Sequence, residues 1–293
     1  MAGIGLFLGV IGLKSAGIMT GNPLVLTLAN LKQPTAMLAI LGFFLIIILD
    51  TLGVIGGIII SMFAVTVIGV VLGYTKFAGV FAMPPSMMPI LLQMDIAGAF
   101  NLGLMTIVFA FLFVDLFDNT GTLIAIAHRA GFMDKHGKMP RINRVLIADS
   151  AAAIASATLG TSTTTSYLES AVGVKMGGRT GLMAVVVAIL FLLTLFLSPL
   201  AQSIPAYATA PAIIYIACLM ARAFTELDWK DATEYAPGLI TAMTMPVTFS
   251  IAQGICLGFI SYAVIKIITG RYRELNPAII VLALIFISKE VFL

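Results

Sequence analysis

Charge is what this chain most lacks. Asp, Glu, Lys and Arg make up only 10% of its 293 residues, against roughly a quarter in soluble domains. An ordinary globule with a large buried core is excluded on that ground. The formal net charge is +3, and the basic residues fall in loops between apolar runs rather than in one stripe, so no nucleic-acid partner is expected. The only cysteines, Cys218 and Cys256, both lie inside apolar runs, where a thiol is a small hydrophobe. Neither a disulfide framework nor a metal site is implied, and no cofactor is expected. HExxH is missing, as are the paired motifs of an intramembrane aspartyl protease, so enzyme activity is not expected. The opening MAGIGLFLGVIGLKSAGIM lacks the basic n-region of a signal peptide and is expected to be a span already under way.

What remains is apolar. Hydrophobic residues make up 60% of the chain and its mean hydropathy is +1.12. The apolar runs approach the ~20 residues needed to cross a bilayer. They fall at 2–19, 36–52, 54–74, 103–118, 142–158, 180–198, 207–223, 235–251, 253–269 and 277–292. The fold class is therefore an all-α polytopic membrane protein. Residues 161–175 differ, because GTSTTTS is too polar for an ordinary span. The sequence predicts a broken half-helix there, extended over Thr161–Tyr167 and helical from near Glu169.

Basic residues orient the chain. Arg129, Lys135, Lys138, Arg141 and Arg144 crowd one connection; Lys175 with Arg179, Arg222 with Lys230, and Arg271 with Arg273 follow. All four groups share one face if the broken element crosses, and the positive-inside rule makes that face cytoplasmic. SPLAQSIPAY, on the opposite face, is uncharged. Trp229 sits where interfacial aromatics collect. His128 and His136 fall in the basic loop and are expected to be solvated, while Pro84, Pro85 and Pro89 mark an irregular external connection. The pairs Gly5/Gly9, Gly69/Gly73 and Gly254/Gly258 have the spacing of close helix packing.

Residues 57–74 align with 254–271, so that Gly57 and Gly73 fall on Gly254 and Gly270. In the topology above the two copies run in opposite directions, as in the inverted repeats of secondary transporters. Such folds bind substrate near the membrane midplane, where interrupted helices free backbone groups. Thr161, Ser162 and Thr163 lie on such a stretch, although Ser and Thr can also bond back one turn and merely bend a helix. Three carboxylates stand out at membrane depth: Asp115, Asp118 and Glu169. An intramembrane carboxylate is costly enough to mark a working site. Asp115 and Asp118 can face one bundle interior, and their mutual repulsion suits proton binding. The alternative for Asp118 is a helix cap in FDNTGTL.

The runs FVDLFDNTGTLIAIAHRAG, RVLIADSAAAIASATLGTSTTTSYLESAVGVKMGGRTGL and PVTFSIAQGICLGFISYAVIKIITGRYREL resemble the AzgA-like purine permeases of the nucleobase/cation symporter-2 group. The resemblance covers essentially the whole chain. It implies a UraA-like fold of fourteen spans in two inverted sets of seven, divided into core and gate domains. On that pattern residues 1–75 are gate spans of the first repeat, 76–102 an extracellular connection and 103–199 core spans of the second repeat. Residues 207–270 are then gate spans of the second repeat, and 277–292 a terminal apolar segment. On the same pattern the chain is expected to correspond to the family's C-terminal portion, with the first four spans missing. The resemblance further implies proton-coupled uptake of adenine, guanine or hypoxanthine across the cell membrane, with a homodimer as the candidate assembly. Residue by residue, it gives Glu169 the purine ring, Asp115 a part in binding or protonation, and Asp118 a supporting place. Carboxylates with exposed amides suit a neutral purine. The alternatives are an anion exchanger of similar architecture, which would put a cation at the half-helix, and a channel, which would need polar rings along a pore.

Overall fold

The computed structural model describes residues 1–20, 27–100, 108, 111–112, 115–116, 119–124, 126–127, 130–134, 139–167 and 170–292. Its principal helices are α1 (Ala2–Ser15), α2 (Pro34–Thr51), α3 (Gly57–Val71), α4 (Ile142–Thr158), α5 (Ser170–Lys175), α6 (Gly181–Thr194), α7 (Ala206–Ala221), α8 (Ala232–Thr248), α9 (Ile251–Ile268) and α10 (Pro277–Phe292). Residues 119–124 are also helical. The chain divides into two compact units, residues 1–80 with 199–293 and residues 81–198. The predicted segment 103–118 lies largely outside the described residues, as do His128, Arg129, Lys135, His136 and Lys138.

Among the described residues, four stretches are long and apolar enough to cross a membrane: Pro34–Thr51, Gly181–Gln202, Ala206–Glu226 and Ile251–Ile268. The distribution of side chains is the reverse of a soluble core. Ala36, Ala39, Ala208, Ala210 and Ser61 are buried, whereas Leu182 and Phe191 are about 70% exposed. Lipid tails solvate Leu and Phe as well as a protein interior does, so small residues are the ones that let helices approach.

In the first unit α1 packs on α7 and α8, α7 on α2 and α3, α2 on α3, and α8 on α9, with a lighter α1–α9 contact. Exchanging α1 with α7, α2 with α8 and α3 with α9 maps this set of pairs onto itself. The two aligned segments also end alike. Gly73 (φ 77°) and Gly270 (φ 76°) take the left-handed conformation that closes a helix. Tyr74 then donates to Gly69 O at 2.9 Å, and Arg271 to Lys266 O at 2.9 Å.

Small residues make the close approaches. A Cβ on Gly5 would lie 2.8 Å from Met220 Cβ, and one on Gly12 would lie 2.7 Å from Ile214 Cγ1. Gly69 admits the Tyr207 hydroxyl, Gly254 admits Met245, and Gly258 admits Thr241 Oγ1. Gly73 faces open space, so the expected Gly69/Gly73 packing pair is half a pair, its second glycine serving the turn. Gly258→Ala is expected to cost about 1–3 kcal/mol through overpacking. Adding Thr241→Ala, which removes the obstructing hydroxyl, should restore most of the loss. Thermal midpoints in detergent measure both, and equal losses in single and double variants would contradict the contact.

The first span ends earlier than the sequence suggested. Instead of running to residue 19, α1 stops at Ser15, because Gly17 (φ 71°) turns the chain. Two-residue strands β1 (Met19–Thr20) and β2 (Thr27–Leu28) then pair antiparallel.

Among the described residues of this unit, one charge is fully buried. Lys266, in the last turn of α9, bonds Glu234 of α8 at 2.6 Å and Glu274 at 2.5 Å, and its ammonium lies 5.5 Å from the Tyr262 ring centre. Arg271 pairs alongside with Asp231, the N-cap of α8. The Thr233 amide and hydroxyl, with the Arg271 guanidinium, hold the Asp231 carboxyl down to about 2. That partly exposed pair therefore stays ionised at neutral and mildly acid pH.

Candidate functional site

The second unit contains the break foreseen near residue 161. Helix α4 closes at Gly160 (φ 73°), where Thr161 N–H donates to Ser156 O at 3.0 Å. Residues 161–167 then carry no regular structure, and α5 begins at Ser170. Thr161, Ser162 and Thr163 are all exposed along this stretch.

Two helical segments hold the stretch from the side. Thr163 Oγ1 donates to Asp115 Oδ1 at 3.3 Å, and Thr164 Oγ1 approaches Ala152 O of α4 at 3.5 Å. Asn119 is 2% exposed; its Oδ1 accepts the Ser166 N–H at 2.8 Å, and its Nδ2 donates to Asp149 Oδ2 at 2.7 Å. A backbone N–H can only donate, so the Ser166 amide fixes which end of the Asn119 amide is which. The Ser166 amide, freed by the break in the helix, is thereby satisfied inside the unit.

Of the residues singled out from sequence, Asp115 and Thr163 are brought into contact, with Thr161 and Ser162 on the same strand of chain. Asp118 and Glu169 lie outside the described residues. Two members of the network were missed. Asp149 is a carboxylate inside the apolar run 142–158 and met the criterion that flagged Asp115. Asn119 was seen only as part of a helix-break signature, although its side chain links Asp149 to the extended stretch. The chemistry assembled is a carboxylate beside a row of hydroxyls and non-helical backbone. Such a set can both donate to and accept from a planar polar ligand.

A model of the Permease family, for xanthine and uracil permeases, matches residues 1–257. The putative permease MJ0326 of Methanocaldococcus jannaschii is 50% identical over 99% of this chain and 67% of its own length. The adenine permease AdeP of Escherichia coli is 47% identical, covering 100% of this chain and 66% of that protein. The guanine/hypoxanthine permease PbuO of Bacillus subtilis is 40% identical, over 97% and 67% respectively. The chain thus spans about two thirds of the length of these relatives. With its apolar helices and a family match over most of its length, the chain belongs to the xanthine/uracil permease family, a multi-pass protein of the cell membrane and not an enzyme.

Proposed function

We propose that the chain serves secondary active transport, the proton-coupled uptake of purine nucleobases. The observation that carries the reading is the Thr163–Asp115 contact, which joins a hydroxyl-rich break in a helix to a carboxylate. The names of these relatives, adenine and guanine/hypoxanthine permeases, supply the substrate class.

In this reading Glu169 accepts a ring N–H of the purine, while Thr161, Ser162 and Thr163 present hydroxyls to its ring nitrogens and 6-substituent. Asp115 binds or relays the proton, with Asp118 in support. Protonation removes an uncompensated charge from the loaded site, which a carboxylate crossing the bilayer centre could not otherwise avoid. Residues 103–199 act as core and residues 1–75 with 207–270 as gate, the connection 76–102 lying outside. The compact units support that division. The self-mapping of the α1–α3 and α7–α9 contacts supports an inverted repeat.

Uptake of labelled adenine, guanine and hypoxanthine tests the proposal. It is measured at two external pH values, with the chain expressed alone and behind the four spans that the resemblance places ahead of it. Saturable uptake that rises at acid pH and collapses with a protonophore is expected. Uptake indifferent to the gradient would remove the proton, and no purine uptake from either folded form would remove the substrate.

A further inference from the structure

We propose that residues 87–93 form a strap that fixes the entrance of the extended stretch, and hence the placement of Thr161–Thr163. The functional part of this inference rests on the purine-site reading; the positional part does not.

The strap begins from an anchored point. Ala82 N–H donates to Phe196 O at 3.0 Å, and the Phe81 and Phe196 rings stack at 5.6 Å. After the proline-rich run the backbone turns, with Ile90 and Leu91 both donating to Met87 O at 3.1 Å. Leu92 then adopts φ 57°, a left-handed conformation that costs a branched, non-glycine residue about 1–2 kcal/mol. Such an outlier persists only where its surroundings over-determine it.

The surroundings in question are the end of α4. Leu92 N–H donates to Thr158 O at 2.9 Å, capping a terminal carbonyl that has no partner within its own helix. Next to it Ile90 O lies only 2.5 Å from where a Cβ on Gly160 would stand. Gly160 is therefore required twice, for its positive φ and as the seat of the strap. The extended stretch starts one residue later. It is thus held at its entrance by Leu92 and Ile90 and near its far end by the Asn119–Ser166 bond, with the exposed hydroxyls between. Leu92 and Ile90 are themselves 67% and 47% exposed. Burial of their side chains therefore does not account for the strained backbone, whereas the bond to Thr158 does.

Two variants separate the bond from the bulk. Leu92→Pro removes the N–H and cannot adopt φ 57°, whereas Leu92→Gly keeps the N–H and relieves the strain. Each is combined with Ser162→Cys in a Cys218→Ala background, and the rate of maleimide labelling at residue 162 is compared. The same two strap variants, without the cysteine, are assayed for the purine KM and for maximal rate per folded protein. Leu92→Pro is expected to change the labelling rate and raise KM, each by about tenfold, corresponding to about 1.4 kcal/mol. Its maximal rate should be little changed, and Leu92→Gly should match the parent throughout. Unchanged labelling in Leu92→Pro, or the same change in Leu92→Gly, would overturn the strap. A yield loss without a KM change would reduce it to a folding contact. If the parent binds no purine while Leu92→Pro still alters labelling, the strap stands and the purine reading falls.

Discussion

Asn119→Leu is expected to lower purine uptake about a hundredfold while leaving the protein folded. Leu has the same branched heavy-atom skeleton as Asn, though it is bulkier, and has neither its donor nor its acceptor. The substitution would leave the Ser166 N–H and the Asp149 carboxylate without the partners they have at 2.8 and 2.7 Å. An orphaned polar group costs about 1–3 kcal/mol when buried; Ser166 and Asp149 are each partly buried, and the two together bring the loss toward the upper end of that range. A loss near 3 kcal/mol at this point corresponds to roughly two decades in an equilibrium constant. That cost falls on the geometry of residues 161–167, because the unit can relieve it by letting the stretch swing away from Asn119. The expected signature is a raised KM with only a modest fall in thermal midpoint. Asn119→Asp should be worse, since it sets a second carboxylate against Asp149. A parental KM in Asn119→Leu would show that the bond to Ser166 does not position the stretch.

The second large effect concerns Lys266, and its sign is the informative part. Glu234 and Glu274 are 41% and 54% exposed, whereas the Lys266 side chain is 1% exposed. When the lysine is removed, the two carboxylates can turn to water. When both carboxylates are removed, the ammonium stays buried with no counter-charge. Breaking a buried pair from one side costs about 3–5 kcal/mol, and that range applies to the Glu234→Gln/Glu274→Gln double variant. Lys266→Met, which substitutes an apolar chain of similar length, should lose less than half as much. Thermal midpoints of the purified variants decide the matter. A Lys266→Met protein as unstable as the double carboxylate variant would mean that the carboxylates, not the lysine, bear the desolvation cost.

The sequence disclosed most where the bilayer constrains it. A spanning segment must satisfy its backbone internally, so its apolar length is written in the chain; the run 253–269 became Ile251–Ile268 and 36–52 became Pro34–Thr51. The run GTSTTTS also declared itself, because hydroxyls that compete for backbone bonds are out of place in an ordinary span, and residues 161–167 carry no helix. Partners distant in sequence were not legible. Asn119 meets Asp149 and Ser166 across 30 and 47 residues, and nothing in FDNTGTL names either. Lys266 was not legible either: it is a lone cation in the apolar run 253–269, and only the fold shows Glu234 and Glu274 closing on it. The overlong first span has a local cause, since Gly17 carries a turn signal that the surrounding apolar residues mask.

The central claim is that the break after α4, together with Asp115 and Glu169, holds a purine. Equilibrium binding of labelled adenine and hypoxanthine to the purified protein, in the form that supports uptake, tests it most directly. Glu169→Gln and Asp115→Asn are measured beside the parent. The account predicts saturable binding by the parent and a loss of about a hundredfold in Glu169→Gln, the scale of a charge-assisted hydrogen bond of roughly 3 kcal/mol. Asp115→Asn should bind with an altered pH dependence. Parental affinity in Glu169→Gln, or no saturable binding of any purine by a folded parent, would contradict it.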